Sequence, residues 1–462
     1  MVKNLSKQFK WELLPVILAL AWPTMLEQLM QTAVQYIDTA MVGSLGTTAT
    51  AAVGATGTLN WLISGTISAL GVGFLAMIAQ AIGAKDRAAA SKAAAQAVLA
   101  VLVTGVFFTA LTLSLSGAIP VWMQTEPHIR ALASQYFFIL YIPMLPRTAT
   151  IIFGTALRAA GDTKTPMFTG LAVNFVNVIL NFFMIYPTRR VELLGNPWVI
   201  PGFGWGVAGA AVASAIAFTL GGILITLAFW KHPVLSPGRQ RIKPDWSVLK
   251  RCLKIACPNM LQRFGTSLGY VFFAAMINAL GEVAAAAHTI ANTVESAFYI
   301  PGYGMQTAAA TLVGNAYGAR DKEKMKDLSR LLMLIEVILM AVSGGLLFIA
   351  APSMMGLFSE NSQVIALGST VLRMVALSEP FFGVSIIIQG MLQGVGDTKT
   401  AFWYDIISMW GVRILGTLIC TSLLHLGLIS AWACMIGHNL LLFTLLTIYY
   451  TRGRWNPLER IK

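Results

Sequence analysis

Chemistry in this chain is sought first where polar side chains stand in apolar surroundings. Residues 12–43 read ELLPVILALAWPTMLEQLMQTAVQYIDTAMVG, and Glu27, Gln31, Gln35 and Asp38 interrupt an otherwise greasy stretch. At about 100° per residue these four fall within roughly an 80° arc, so a helix would carry them as one stripe. Further along, Asn174, Asn177 and Asn181 recur at i, i+3 and i+7 and make a second stripe, and Ser214 stands in a third apolar run. A carboxylate gathered with amides and a hydroxyl can exchange a proton, or can form a cage of oxygens for a hard cation such as Na+. The plainer role is interhelical glue, worth only about 0.6–2 kcal/mol per bond. Cys252, Cys257, Cys420 and Cys434 show no CxxC or metal spacing, and none of the five histidines has a partner at i+4. No nucleophile–base or metal cluster is visible, so neither an enzyme nor a resident metal or other cofactor is expected, beyond an exchanged H+ or Na+.

The elements that must carry these stripes are membrane-spanning helices. The chain has 462 residues, 56% hydrophobic and only 11% charged. A soluble domain carries roughly 25% charged residues, so this is an integral membrane protein. Apolar runs predict helices near 12–43, 51–82, 92–118, 127–158, 166–187, 205–230, 252–281, 285–316, 327–352, 362–394, 401–423 and 427–450, each at or above the roughly 20 residues that span hydrocarbon. Pro23, Pro143, Pro146, Pro258, Pro301 and Pro380 fall inside them as expected kinks. The first run is long and lacks a cleavage motif, so no cleavable signal peptide is expected. In such a bundle an ionised Asp38 facing lipid would cost on the order of 3 kcal/mol or more, so its stripe must face the bundle interior or water.

Basic residues mark alternate loops. Lys85, Arg87 and Lys92 follow the second span, Arg158 and Lys164 the fourth, and Arg320, Lys322, Lys324, Lys326 and Arg330 the eighth. The linker between the sixth and seventh carries Lys231, Arg239, Arg241, Lys243, Lys250 and Arg251, among others. The positive-inside rule then puts both termini in the cytoplasm of a cell-membrane protein. The same bias accounts for the net charge of +13 without nucleic acid as a partner.

The chain also repeats itself. IIFGTALRAAGDTKT (151–165) returns as IIIQGMLQGVGDTKT (386–400), an offset of 235 residues. That offset also carries Pro23 onto Pro258 and the turn Gly83–Asp86 onto Gly318–Asp321. Two parallel six-helix units result, related by an axis along the membrane normal. We read 1–230 as the first lobe, 231–247 as a cytoplasmic linker and 248–462 as the second lobe. The first carries an extra stretch, about 189–202, between its fifth and sixth helices. Chemistry is not duplicated: Asp38 falls on Phe273, Glu27 on Gln262, and the three asparagines on Met409, Val412 and Gly416. The second lobe has its own acids, Glu295, Glu336, Glu379 and Asp405. Glu295 and Glu379, the latter just before Pro380, are substrate-site candidates together with Gln35. Asp405 and Arg413, eight residues apart, are expected to form an ion pair, and Arg147 and Arg263 read as cations that position helices. The GDTKT segments lack the GxxxxGK[ST] frame and read as turns that end helices.

YIDTAMVGSLG (36–46), LVGNAYGARD (312–321), VNVILNFFMIY (176–186), GVAGAAVAS (206–214) and the two GDTKT turns together resemble the multidrug and toxic compound extrusion (MATE) transporters over nearly the whole chain. The resemblance implies a V-shaped bundle of twelve helices in two lobes. It also implies efflux of organic, commonly cationic and amphipathic, drug-like compounds, driven by inward movement of H+ or Na+. The family's helix-1 aspartate falls on Asp38, its helix-5 amide on Asn177 and its helix-6 hydroxyl on Ser214. One branch has a second aspartate where Asn181 stands here; another has acids where Thr266 and Phe382 stand. Asp38 is thus expected to be the single coupling carboxylate, with Asn177, Asn181 and Ser214 as its shell. Proton is the favoured ion and Na+ at Asp38 the alternative. Substrate would lie between the lobes against Met- and aromatic-rich walls, in a transporter expected to be a monomer in the bilayer. The rival reading is a flippase for lipid-linked precursors, which would want a strongly cationic cavity.

Overall fold

The computed structural model describes residues 10–193, 196–239 and 242–460. Among the described residues twelve long helices form the bundle: α1 Leu14–Gly43, α2 Thr47–Gly83, α3 Arg87–Leu115, α4 in two parts (α4a Pro127–Tyr141, α4b Met144–Ala159), α5 Lys164–Met184, α6 Gly206–Lys231, α7 Trp246–Asn278, α8 Glu282–Gly318, α9 Lys322–Phe358, α10 in two parts (α10a Ser362–Ala376, α10b Glu379–Val395), α11 Thr398–Leu423 and α12 Leu428–Thr451; all but α7 and α8 are long and apolar enough by themselves to cross a membrane. The bends in α4 and α10 are 52° and 53°. They fall at Pro143 and at Ser378, positions related by the repeat offset, so the break is a property of the ancestral unit. At the first a proline withholds a backbone donor; at the second Pro380 comes two residues later.

Expectation and structure differ in three places. The extra stretch after α5 is a β-hairpin, β1 Pro187–Leu193 pairing antiparallel with β2 Asn196–Phe203. Its two strands, of seven and eight residues, are too short to register in a scan for spanning segments. Within α11, residues 409–414 and 419–423 are π-helical. Each π turn takes in an extra residue and shifts the phase of the helix beyond it. The eight-residue spacing therefore fails to bring Asp405 and Arg413 together. Asp405 accepts from Thr266 Oγ1 at 2.8 Å, while the Arg413 guanidinium lies 4.2 Å from the Phe273 ring centre and 4.6 Å from that of Tyr270. Third, Glu295 and Glu379 are buried in the interior of the second lobe.

Turn chemistry explains the sharp corners. In the GDTKT segments Gly161 and Gly396 adopt φ +92° and +87°, the left-handed geometry that ends a helix. The aspartate after each glycine caps the next helix: Asp162 accepts from Thr165 N at 3.0 Å and Asp397 from Thr400 N at 3.3 Å. Asp86 and Asp321 cap α3 and α9 in the same way. All these turns lie on the basic face of the bundle.

The two lobes meet through α1, α2, α7 and α8. At the basic face the ends of α2 and α8 cross in a self-complementary contact. A methyl group on Gly83 would overlap the Asn315 carbonyl, and one on Gly318 would overlap that of Gln80. Asn315 and Gly318 are the repeat partners of Gln80 and Gly83, so one contact is written twice. Gln80 adds bonds to the Gly394 carbonyl (2.9 Å) and, as acceptor, from Arg251 (2.7 Å). Deeper in, Gly73 packs on Cys252 of α7 and Gly304 of α8 on Met25 of α1. Toward the far face the seam loosens: a methyl group added at Gly54 or Gly57 of α2 would meet nothing within 4 Å, and Trp61 is 70% exposed. The lobes thus enclose a cleft closed on the basic side. The linker is tied to α3, where Gln96 bonds Lys243 O and Asp245 N, and Lys92 pairs with Asp245 at 2.5 Å.

Candidate functional site

Helices α1 and α5 run side by side in the first lobe, both starting at the basic face. Glu27 lies over Gly170, and eleven residues further along both helices Asp38 meets Asn181. A constant register of 143 residues means that the α1 stripe is read along α5. Glu27 closes the basic end of this seam: both of its carboxylate oxygens accept from Arg158, at 2.5 and 2.7 Å.

At the other end the candidate residues converge. Asn181 Nδ2 donates to Asp38 Oδ1 at 2.7 Å and to Asn177 Oδ1 at 3.2 Å. Asn177 Nδ2 donates to Ser214 Oγ of α6 at 3.1 Å. Asn177 and Asn181 are buried, and Asp38 turns its carboxyl to α5. Among the described residues Asn174, the third member of the stripe, makes no bond to this group.

The Asn177 amide can sit either way round, and the choice depends on the charge of Asp38. With its oxygen toward the carboxyl, the amide leaves acceptor facing acceptor at 2.9 and 3.1 Å, which is stable when Asp38 carries a proton and donates it. Turned over, the amide nitrogen donates to both oxygens of an ionised Asp38, and Ser214 Oγ donates to the Asn177 oxygen at 3.1 Å. The turn brings the two NH2 groups of Asn177 and Asn181 to 3.2 Å, so the Asn181–Asn177 bond is lost. Asn181 Oδ1 is a buried acceptor with no partner in either arrangement. The cluster therefore has two self-consistent hydrogen-bond patterns, one for each protonation state.

The other face of α1 touches the second lobe. Tyr36 stands about 160° around the helix from Asp38. Its hydroxyl donates to the Thr293 carbonyl of α8 at 3.0 Å and lies 3.2 Å from Ser296 Oγ. Thr24, earlier on the same helix, donates to Gly304 O at 3.0 Å. One helix thus carries the carboxylate toward its own lobe and two hydroxyls toward the other. The sequence stripe pointed to Asp38; the role of Tyr36 depends on which helix lies opposite, and nothing in the residue pattern gave it.

Of the substrate candidates, Gln35 is exposed. Glu295 and Glu379 are 6% and 2% exposed and lie in the interior of the second lobe in this conformation. Glu379 opens α10b directly after the bend, which turns its side chain toward α9, where Gly344 makes room for its Cβ. In front of these acids Tyr299, Tyr303 and Phe382 form an edge-to-face aromatic wall.

Comparison with known proteins gives a consistent picture. The MatE family model matches residues 23–183 and again 258–419, two stretches set apart by the repeat offset. The chain is 28% identical over 451 residues to a probable multidrug resistance protein, NorM, of Thermotoga maritima, covering 98% of this chain and 95% of that protein. It is 24% identical to the probable multidrug resistance protein YoeA of Bacillus subtilis, covering 92% and 90%. In fold it matches the outward-facing conformation of a multidrug resistance MATE family transporter, with TM-score 0.88 and 23% identity over 96% of each chain. A MOP superfamily transporter from Pyrococcus furiosus superposes with TM-score 0.87 at 23% identity, again over 96% of each.

Proposed function

The chain belongs to the MATE family of membrane transporters, and from that premise we propose that it exports amphipathic organic compounds in exchange for protons. The relatives' description as multidrug resistance proteins supports the cargo class. The coupling reading rests on one observation: a single carboxylate held by two amides of α5, at a position where the other lobe has Phe273. Proton uptake at Asp38 removes the charge that the amides solvate, reverses Asn177 and weakens the grip of α5 on α1. Because Tyr36 and Thr24 fix α1 to α8, loosening one face of α1 changes how the lobes are held together. Rocking of the lobes then exposes the cleft to alternate sides. On the positive-inside argument the basic face is cytoplasmic, and this conformation opens outward. Gln35, beside Asp38 on the open part of the stripe, contacts cargo. Glu295 and Glu379 contact it only after the second lobe has rearranged.

A specific observation favours Na+ as a second reading. Asn181 Oδ1, Asn177 Oδ1, Ser214 Oγ and the Asp38 carboxylate offer oxygens from three helices, and Asn181 Oδ1 has no other partner. The experiment is efflux by wild type and by Asp38→Asn in membrane vesicles, with pH and sodium gradients imposed separately. The proton reading expects wild-type efflux under the pH gradient alone and loss of at least about 100-fold in the variant, since chemistry of this kind depends on the ionisable group itself. Wild-type efflux under the sodium gradient alone would replace H+ by Na+. Full efflux by the variant under both gradients would overturn the coupling role of Asp38.

A further inference from the structure

Of the arginines deep in the spans, Arg147, Arg158, Arg373 and Arg413 are spoken for, Arg373 by the ring and the carbonyl of Phe348. Arg158 holds Glu27. Arg147 is buried, donating to Asn60 Oδ1 at 2.7 Å and Ser64 Oγ at 2.9 Å. Arg413 is buried over two aromatic rings. Arg263, midway along α7, is exposed. Among the described residues it forms no ion pair, and its guanidinium makes one hydrogen bond, from Nε to Asn259 Oδ1 at 3.2 Å on its own helix.

Its direction follows from the helix. Cys252, Asn259, Arg263 and Tyr270 fall within roughly a 40° arc of α7. Cys252 on that arc packs against Gly73 of α2, and the Arg263 stem lies 3.7 Å from where a Cβ on Gly65 of α2 would be. The arc therefore faces the opposite lobe. Leu253, Leu261, Phe264 and Leu268, all between 39% and 56% exposed, stand on the other side and face lipid. Below Arg263 the seam is closed by Gly73 and Cys252; above it Tyr270 is 45% exposed. Arg263 thus sits at the floor of the cleft.

Among the described residues no acid neutralises it there. Glu27 is taken by Arg158, Asp38 faces α5, and Glu295, Glu336, Glu379 and Asp405 are buried within the second lobe. A cation at bilayer depth is costly unless it meets water or an anion. A guanidinium with most of its donors unused is a fork suited to the paired oxygens of a carboxylate or phosphate. Tyr303 across on α8, and the face of Tyr270 not covered by Arg413, offer ring surface to an apolar body.

We propose that Arg263 is the anion-recognising residue of the cleft, so that the cargo includes amphipathic molecules carrying carboxylate or phosphate oxygens, zwitterions among them. This rests on the reading of the cleft as the path of the cargo. It also replaces the expectation of a helix-positioning cation.

The test uses the full-length protein in nanodiscs of phosphatidylcholine and three probes on one naphthalene scaffold, bearing a carboxylate, a neutral amide or a quaternary ammonium. Binding is read by fluorescence, so the result stands whether or not vesicle transport is coupled as proposed above. Wild type is expected to bind the carboxylate probe about 10- to 100-fold more tightly than the ammonium probe, the range of a charge-assisted bond. Arg263→Gln removes that preference, and Arg263→Lys keeps part of it through charge alone. Phosphatidylglycerol mixed into the nanodisc separates a lipid headgroup from a free amphiphile: competition with the carboxylate probe identifies the headgroup as an occupant of the same site. Equal binding of the three probes by wild type, or a preference unchanged in Arg263→Gln, overturns the proposal. The wild-type comparison decides even if the variant fails to fold. Failure of vesicle efflux with intact probe selectivity would count against the transport reading and not against the site.

Discussion

The two lobes share one chain plan, and they treat buried charge in opposite ways. In the first, each acid inside the membrane is answered: Glu27 by Arg158, Asp38 by Asn181 and Asn177. In the second, Glu336 is fully buried between Gly302 and Gly383, and neither of its carboxyl oxygens has a partner. One oxygen of Glu379 is likewise unpartnered. The site equivalent to Asp38 holds Phe273, and its ring is covered by Arg413. A carboxyl with answering donors can be ionised and neutral in turn; one without them stays neutral in the low-dielectric interior. Duplication supplied two scaffolds, and only the first keeps acids on its opening helix with donors facing them. The lobes therefore differ in how their buried acids are met, while they share the order of their helices and the bend in the fourth.

The comparison can be broken at its symmetric part. Gly83→Val and Gly318→Val each force a side chain into a carbonyl of the opposite lobe, and the repeat predicts that they act alike. Both are expected to open the basic-side seam. In a background with Cys257, Cys420 and Cys434 replaced by serine, alkylation of Cys252, now buried on Gly73, should speed up by about 10-fold or more, as overpacking costs of roughly 1–3 kcal/mol allow. Unequal effects would show that the closure is not a repeated contact.

A smaller effect sharpens the asymmetric part. Tyr36→Phe removes one bond between α1 and α8 and leaves Asp38 in place. Gradient-driven efflux should fall about three- to tenfold, as one bond near 1 kcal/mol implies, with probe binding preserved. An unchanged rate would dismiss the Tyr36 bond as part of the link between α1 and the second lobe. Smaller still, Glu336→Gln exchanges one neutral group for another of the same shape. Thermal unfolding should place its stability within about 1 kcal/mol of wild type, since no charge is lost. A loss of several kcal/mol would show that Glu336 is ionised and paired.

The smallest effect is at the linker. Lys92 first, then Ser247 and the Val248 amide, hold the Asp245 carboxyl below its ordinary range. A group whose folded value is depressed contributes its stabilisation above the unfolded value, near 4, and loses it as pH falls through the folded one. Proteolysis within 233–245 should therefore be slow at neutral pH and quicken in acid. Asp245→Asn should quicken it about two- to threefold at neutral pH, the effect of losing one exposed pair. No response of cleavage rate to acid or to the substitution would dismiss the anchor.

The sequence alone determined the twelve spans, the bend beside Pro380, the repeat and the asymmetry between Asp38 and Phe273. Those features arise from local physics: hydrophobic length, proline's missing donor and residue-by-residue self-similarity. The convergence of Asp38, Asn177, Asn181 and Ser214 was foreseen from helical spacing and the family resemblance, because each stripe is confined to one helix. What only the tertiary structure decided lies between helices. Which group bonds Tyr36, why Asp405 and Arg413 part company, and why Arg263 faces the opposite lobe while Glu295 and Glu379 are sealed inside their own all depend on helix rotation and on π turns. Rotation is set by packing against neighbours distant in sequence, and periodicity along one helix carries no record of what stands across from it.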